Sequence, residues 1–159
     1  MTLQVPEKTV DSILLIEDEP ADARLLMRAF TKVGVQNPIH HLNSGEKALA
    51  YFHRLPPYND TAKYTAPVLI LLDLKLPDIS GLNLLNVFRT RAELRRVPVV
   101  VISGNESPAV IQAAYDAGAS SYLLKSYDEA DIERIARSVS DYWLHLNRTS
   151  SIVLQPART

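Results

Sequence analysis

Residues 68–73 read VLILLD, five apolar side chains without interruption and then an aspartate. A strand with one wet face alternates apolar and polar residues; a run with no polar position must be covered on both faces. The pattern recurs as ILLI at 13–16 and VPVVVI at 97–102, with further apolar runs at 38–42 and 121–124. Helical patterns lie between these runs, at about 20–33, 45–55, 81–91, 108–117 and 128–146. In the first of them Leu25, Leu26, Ala29, Phe30 and Val33 form one apolar stripe at helical spacing. Pro20 and Pro108 suit a first helical position, Ser80, Ser107 and Ser126 can cap, and Gly34 and Gly118 stand where helices should stop. Five βα units in succession imply one parallel sheet with helices on both faces, because parallel neighbours need crossover connections.

Bulk properties agree with a globular α/β protein. A chain of 159 residues, 47% apolar and 22% charged, is one domain that buries a core without staples. Seventeen basic against eighteen acidic residues give a net charge of −1, without the basic footprint of a nucleic-acid binder. The absence of cysteine excludes disulfides, thiolate metal sites and cysteine nucleophiles. The opening MTLQVPEKTVDS has no apolar signal core, and no run approaches the roughly 18 apolar residues of a membrane span. The expectation is a soluble, cytoplasmic, single-domain protein: a tail at 1–11, the domain at 12–147 and a second tail at 148–159. No internal repeat is visible. Two stretches stand outside the βα rhythm: the loop PPYNDTAKYTA at 56–66, and the C-terminal tail with its Ile152, Val153 and Leu154.

Open α/β sheets place their chemistry at the carboxyl ends of the strands. The first run here ends in Glu17, Asp18 and Glu19, the third in Asp73, the fourth in Ser103 and the fifth in Lys125. Wet strand ends explain any one of these residues, but not the four groups together. Converging acids repel unless something offsets their charge. A hard divalent cation does so, taking one or two carboxylates, waters and a phosphate oxygen. A carboxylate such as Asp73 beside that ion can attack phosphorus and form an acyl phosphate. The new phosphoryl oxygens then need donors, for which an ammonium and a hydroxyl are suited.

LLIEDEPAD, LILLDLKLPDISG, VPVVVISGN and AGASSYLLKS, in this order and at these strand ends, resemble a response-regulator receiver domain of two-component signalling. The resemblance covers about residues 12–147. It implies the flavodoxin-like (βα)5 fold with strand order 2-1-3-4-5, and a signalling phosphoacceptor rather than an enzyme. Carried over by position, Asp73 is the phosphoacceptor. Asp18 and Asp73 bind Mg2+ (or Mn2+) together with the backbone carbonyl of Lys75, while Glu17 acts largely through a metal-bound water. Ser103 and Lys125 contact the phosphoryl group, and Tyr122 is the aromatic switch partner of Ser103. The segment YDEADIERIARSVSDYWLHLN, the loop at 56–66 and the Lys125-Ser126 pair are similar to small stand-alone receivers that partner phytochrome-type histidine kinases. A histidine phosphotransfer protein is a further partner that the family implies.

The family ends its fifth strand in Lys-Pro with a cis bond, whereas here Ser126 follows Lys125. Gly104, Lys75 and Asn105 fill variable positions around the acceptor. Other assignments fit less well. A flavodoxin proper needs a phosphate-binding first loop, which Glu17, Asp18 and Glu19 would repel. A haloacid-dehalogenase-like phosphatase needs a second acid where Lys75 stands, and no phosphate-binding P-loop motif occurs. His40, His41, His53 and His145 lack a metal-ligand spacing. The alternative is a receiver-like interaction module that signals without phosphorylation, against which the retained Asp18, Asp73, Ser103 and Lys125 speak. Finally, a long fifth helix should carry Tyr142, Trp143 and Leu146 past the sheet, unburied by their own domain. With the 152–154 patch, these residues predict a homodimer built on the fifth helix and a C-terminal arm.

Overall fold

The computed structural model describes residues 11–148. Five strands alternate with five helices: β1 (Ser12–Ile16), α1 (Pro20–Lys32), β2 (Ile39–Leu42), α2 (Gly45–Phe52), β3 (Pro67–Leu72), α3 (Gly81–Thr90), β4 (Val99–Ser103), α4 (Pro108–Asp116), β5 (Ser121–Leu124) and α5 (Glu129–Val139). The strands form one parallel sheet in the order β2-β1-β3-β4-β5, with Leu14 opposite His40 and Ile70, and Val101 opposite Leu72 and Tyr122. The chain order therefore reverses between β1 and β3, at the edge where Glu17 and Asp73 leave the sheet.

Successive side chains along a strand point to opposite faces, and this splits the core in two. Leu14, Ile16, Ile70 and Leu72 pack with Phe52, Leu84, Leu85 and Phe88 on the α2–α3 side. Ile13, Leu15, Leu69 and Leu71 pack with Phe30, Ile132, Ala136 and Val139 on the α1–α5 side. The uninterrupted apolar runs are the consequence. The loop at 56–66 extends the first core: Tyr58 and Tyr64 pack against Tyr51 with ring centroids 5.5 and 5.8 Å away.

Element ends follow the expected chemistry with some differences. Pro20 and Pro108 open their helices, and Ser80 caps α3 by accepting from the Asn83 N–H. Ser107 precedes α4 but its side chain makes no capping bond, and Asp128 rather than Ser126 caps α5. β4 begins at Val99 instead of residue 97, since Pro98 has no N–H for the ladder. Among the described residues the cis bond is Pro56–Pro57, so the peptide after Lys125 is trans.

The sequence pattern also leaves Trp143 beyond the sheet, and the structure corrects this. From Ser140 to Leu146 the last helix is π-helical, with the Asn147 N–H donating to the Tyr142 carbonyl at 2.6 Å. Trp143 stands four residues after Val139 and seven after Ala136, on the face that those residues already turn toward the core. Trp143 and Leu144 are partly buried against the α1–α5 core, whereas Tyr142 and Leu146 are exposed. The expected dimer arm with Ile152, Val153 and Leu154 lies outside the described residues.

Candidate functional site

Backbone pairing delivers the site residues to one edge. The Asp73 N–H donates to the Ile16 carbonyl at 2.9 Å, so the pairing with β1 runs one residue beyond β3 and sets Asp73 beside the Glu17–Asp18 turn. In that turn the Glu19 N–H donates to Glu17 Oε1 at 3.0 Å, and the Glu19 carboxylate caps α1 through the Ala21 N–H. After Asp73 the chain folds back tightly. Gly81 opens α3 directly on this loop: its N–H donates to the Leu74 carbonyl at 2.8 Å, and a Cβ there would lie 2.7 Å from the Asp73 carbonyl oxygen. Asp78 braces the same loop to α2, accepting from the Gly45 and Glu46 N–H groups at 2.9 and 2.8 Å. Anion and helix N-terminus suit each other there. On the other flank, the Lys125 N–H donates to the Ser103 carbonyl at 2.9 Å and joins the ends of β4 and β5.

The charged groups then meet. One carboxylate oxygen from each of Glu17, Asp18 and Asp73 lies within 4.8 Å of the others, with Glu17 and Asp73 buried. Lys125 Nζ donates to Asp73 Oδ2 at 2.8 Å and to Asp22 Oδ2 at 3.0 Å, and pairs with Glu17 Oε2 at 2.8 Å. Burial pushes the Glu17 carboxyl up to about 7, reinforced by the Asp73 charge and opposed by Lys125. Burial alone would lower Lys125, but its bonds to Asp73, Glu17 and Asp22 outweigh that and raise it, so the ammonium stays charged. Three hard oxygen donors and a surplus of negative charge fit a divalent cation such as Mg2+ or Mn2+. Lys75 is exposed, and its N–H donates to Asp73 Oδ1 at 3.1 Å.

Ser103 and Tyr122 converge on one residue of the β4–α4 loop. The Asn105 N–H donates to Ser103 Oγ at 3.2 Å, and the Tyr122 hydroxyl donates to the Asn105 carbonyl at 2.7 Å. Ser103 is buried, while Asn105 is exposed. The cleft beyond them is lined by Asp73, Lys75, Ser103, Asn105, Lys125 and Tyr127.

The structure thus gathers Glu17, Asp18, Asp73, Lys75, Ser103 and Lys125 at one edge and brings Tyr122 to the adjoining loop. Sequence reasoning missed Asp22, Asp78 and the Asn105 peptide. Asp22 stands in the first turn of α1, where an acid is ordinary, so no pattern marks it. Asp78 accepts from backbone groups distant in sequence, and the Asn105 peptide meets the side chains of Ser103 and Tyr122, contacts that spacing does not reveal.

Comparison with known proteins agrees with this geometry. Residues 13–137 match the response regulator receiver domain. The probable methanogenesis regulatory protein FilR2 of Methanothrix harundinacea is 35% identical, covering 86% of each chain. Response regulator Rcp1 of Synechocystis sp. is 30% identical over 83% of this chain and 88% of its own. The crystal structure of its Mn(2+)-bound form has a TM-score of 0.79 at 28% identity, covering 89% of this chain and 99% of that one. The crystal structure of the phosphorylated cyanobacterial phytochrome response regulator RcpA has a TM-score of 0.81 at 30% identity, with the same coverage. With its five-stranded sheet in the order 2-1-3-4-5 and its acids at the switch in strand order, the chain belongs to the response regulator receiver domain family.

Proposed function

We propose that this protein is a phosphorylatable response regulator whose acceptor is Asp73. The observation that carries this reading is the Lys125 ammonium 2.8 Å from Asp73 Oδ2, beside carboxylates suited to a divalent cation. Mg2+ or Mn2+, held by Asp18, Asp73, the Lys75 carbonyl and, through water, Glu17, would supply positive charge against the phosphoryl oxygens. An Asp73 oxygen attacks the phosphorus of a phosphohistidine; the O–P bond forms as the P–N bond breaks, and the imidazole leaves with the electron pair. Lys125 exchanges its bond to the Asp73 carboxylate for one to a phosphoryl oxygen, and Ser103 Oγ donates to another. Turning toward that oxygen carries Ser103 Oγ away from the Asn105 N–H, which loosens the peptide that holds the Tyr122 hydroxyl. Tyr122 is then free to turn inward, in a two-state change biased by the phosphate. The protein promotes only its own phosphorylation and dephosphorylation.

Similarity to Rcp1 and RcpA supports a phytochrome-type histidine kinase as the donor. Output leaves by protein contact or by relay to a histidine phosphotransfer protein. Exposed Tyr142 and Leu146 at the end of the last helix support a homodimer on that face. The setting is cytoplasmic; among the described residues no helix is long and apolar enough to cross a membrane. Incubation with acetyl phosphate and Mg2+ tests the acceptor. Base-labile labelling is expected in the wild type and abolished by chelation or by Asp73→Asn; full labelling of Asp73→Asn would overturn the assignment.

A further inference from the structure

Three carboxylates surround the Lys125 ammonium, and they are not all of the same kind. Glu17 and Asp73 belong to the carboxylate cluster that could hold a cation. Asp22 does not; it projects from the first turn of α1 and accepts from Lys125 Nζ at 3.0 Å. Its side chain is only 16% exposed, so the contact is sheltered from solvent and from salt.

We infer that Asp22 is a positioning residue that holds the Lys125 ammonium at the side of the site and lets a divalent cation share Glu17 and Asp73 with it. The inference rests on the metal-dependent acceptor site proposed above. A cation entering the cluster draws electron density from the two carboxylates that also accept from Lys125, and it repels the ammonium. Without Asp22, Lys125 has two courses. It can stay on Glu17 and Asp73 and oppose the cation, or leave for solvent and be absent when Asp73 needs it. With Asp22 in place, one N–H keeps a charged acceptor that the cation does not claim. Asp22 thereby separates two positive charges that the same carboxylates attract.

The test is cation binding by the full chain, read from the free Mn2+ electron paramagnetic resonance signal at about 0.5 M KCl, where exposed charges are largely screened. Asp22→Asn is expected to weaken Mn2+ binding about tenfold, roughly the worth of one hydrogen bond to a charged group. Glu19→Gln is the control for plain charge. Glu19 is adjacent to Asp18 but exposed, and it has no bond to Lys125; its effect is expected to stay within about twofold on the same screening grounds. A lysine-selective ammonium spectrum supplies a second reading. In the wild type the Lys125 signal, slowed in exchange by its carboxylate bonds, should persist when Mg2+ is added, and in Asp22→Asn it should be lost. Thermal unfolding of both variants shows that they are folded.

Equal weakening by Glu19→Gln and Asp22→Asn, or a Lys125 signal indifferent to Asp22, would overturn the role of Asp22 while leaving the metal site standing. Failure of the wild type to bind Mn2+ would instead overturn the metal-dependent reading itself.

Discussion

Two half-buried cations sit at opposite ends of the same sheet, and they are satisfied in opposite ways. At the amino end, Arg89 donates five hydrogen bonds, all to backbone carbonyls: Gly118 at 2.9 and 2.6 Å, Leu94 at 3.2 Å, Arg95 at 3.1 Å and Val97 at 3.0 Å. These bonds tie the end of α3, its connection to β4 and the turn before β5 into one unit. No anion is needed there. At the carboxyl end, Lys125 faces Glu17, Asp22 and Asp73, with Asp18 close by. One ammonium cannot neutralise four acids. Burial raises the Glu17 carboxyl to about 7, and the Asp73 charge adds to the shift. Neutral acceptors build a staple; surplus carboxylates build a site that awaits more positive charge.

Removing the staple should have the largest effect. Arg89→Leu strips hydrogen bonds from four carbonyls and should cost about 2–4 kcal/mol in urea unfolding. The folded fraction should still take a phosphoryl group. Loss of labelling in protein that is still folded would mean that the two ends are coupled and break the comparison.

The opposite sign is expected at the other end. The folded protein holds the Glu17 proton up to about pH 7, whereas the unfolded chain releases it near 4.5. An acid raised on folding favours the folded state at low pH, and that advantage is lost as pH rises through the window from 4.5 to 7. Glu17→Gln keeps the neutral form throughout. In chelator it should therefore stabilise the fold by roughly 1–3 kcal/mol at about pH 8, and by little near pH 4.5. A stability difference that does not vary with pH would show that Glu17 carries no such strain.

The smallest effect belongs to the switch. Tyr122→Phe removes the hydroxyl bond to the Asn105 carbonyl, a partly exposed interaction worth about 0.5–1 kcal/mol. Melting should fall only slightly, and amide exchange at Asn105 should quicken. Unchanged exchange would detach Tyr122 from the loop that Ser103 shares.

Much of the fold was legible because it depends on patterns local to each element. ILLI and VLILL required covered faces, and the residues that end those runs fell at one edge once the strands were parallel. The acids, Ser103 and Lys125 could be grouped for the same reason. What escaped depends on contacts between distant segments. Asp22 reads as a helix-start acid until β5 brings Lys125 to it, 103 residues away. Arg89 reads as a surface charge in the last turn of α3 until the turn at Gly118 closes over it. Trp143 escaped because the length of the last helix suggests an end beyond the sheet, whereas its place on the face of Ala136 and Val139 keeps it against the core.

The central claim is that the imbalance at the carboxyl end serves one acceptor, and mapping the phosphorylated residue tests it most directly. The full chain is phosphorylated with acetyl phosphate and Mg2+, reduced with borohydride, which converts an aspartyl phosphate to homoserine, and digested for peptide mass analysis. The account predicts homoserine at residue 73, dependent on Mg2+, with Asp18, Asp22 and Glu17 unmodified. Reduction at one of those acids, or a wild-type chain that stays unmodified at residue 73 under conditions that phosphorylate a receiver control, would contradict it.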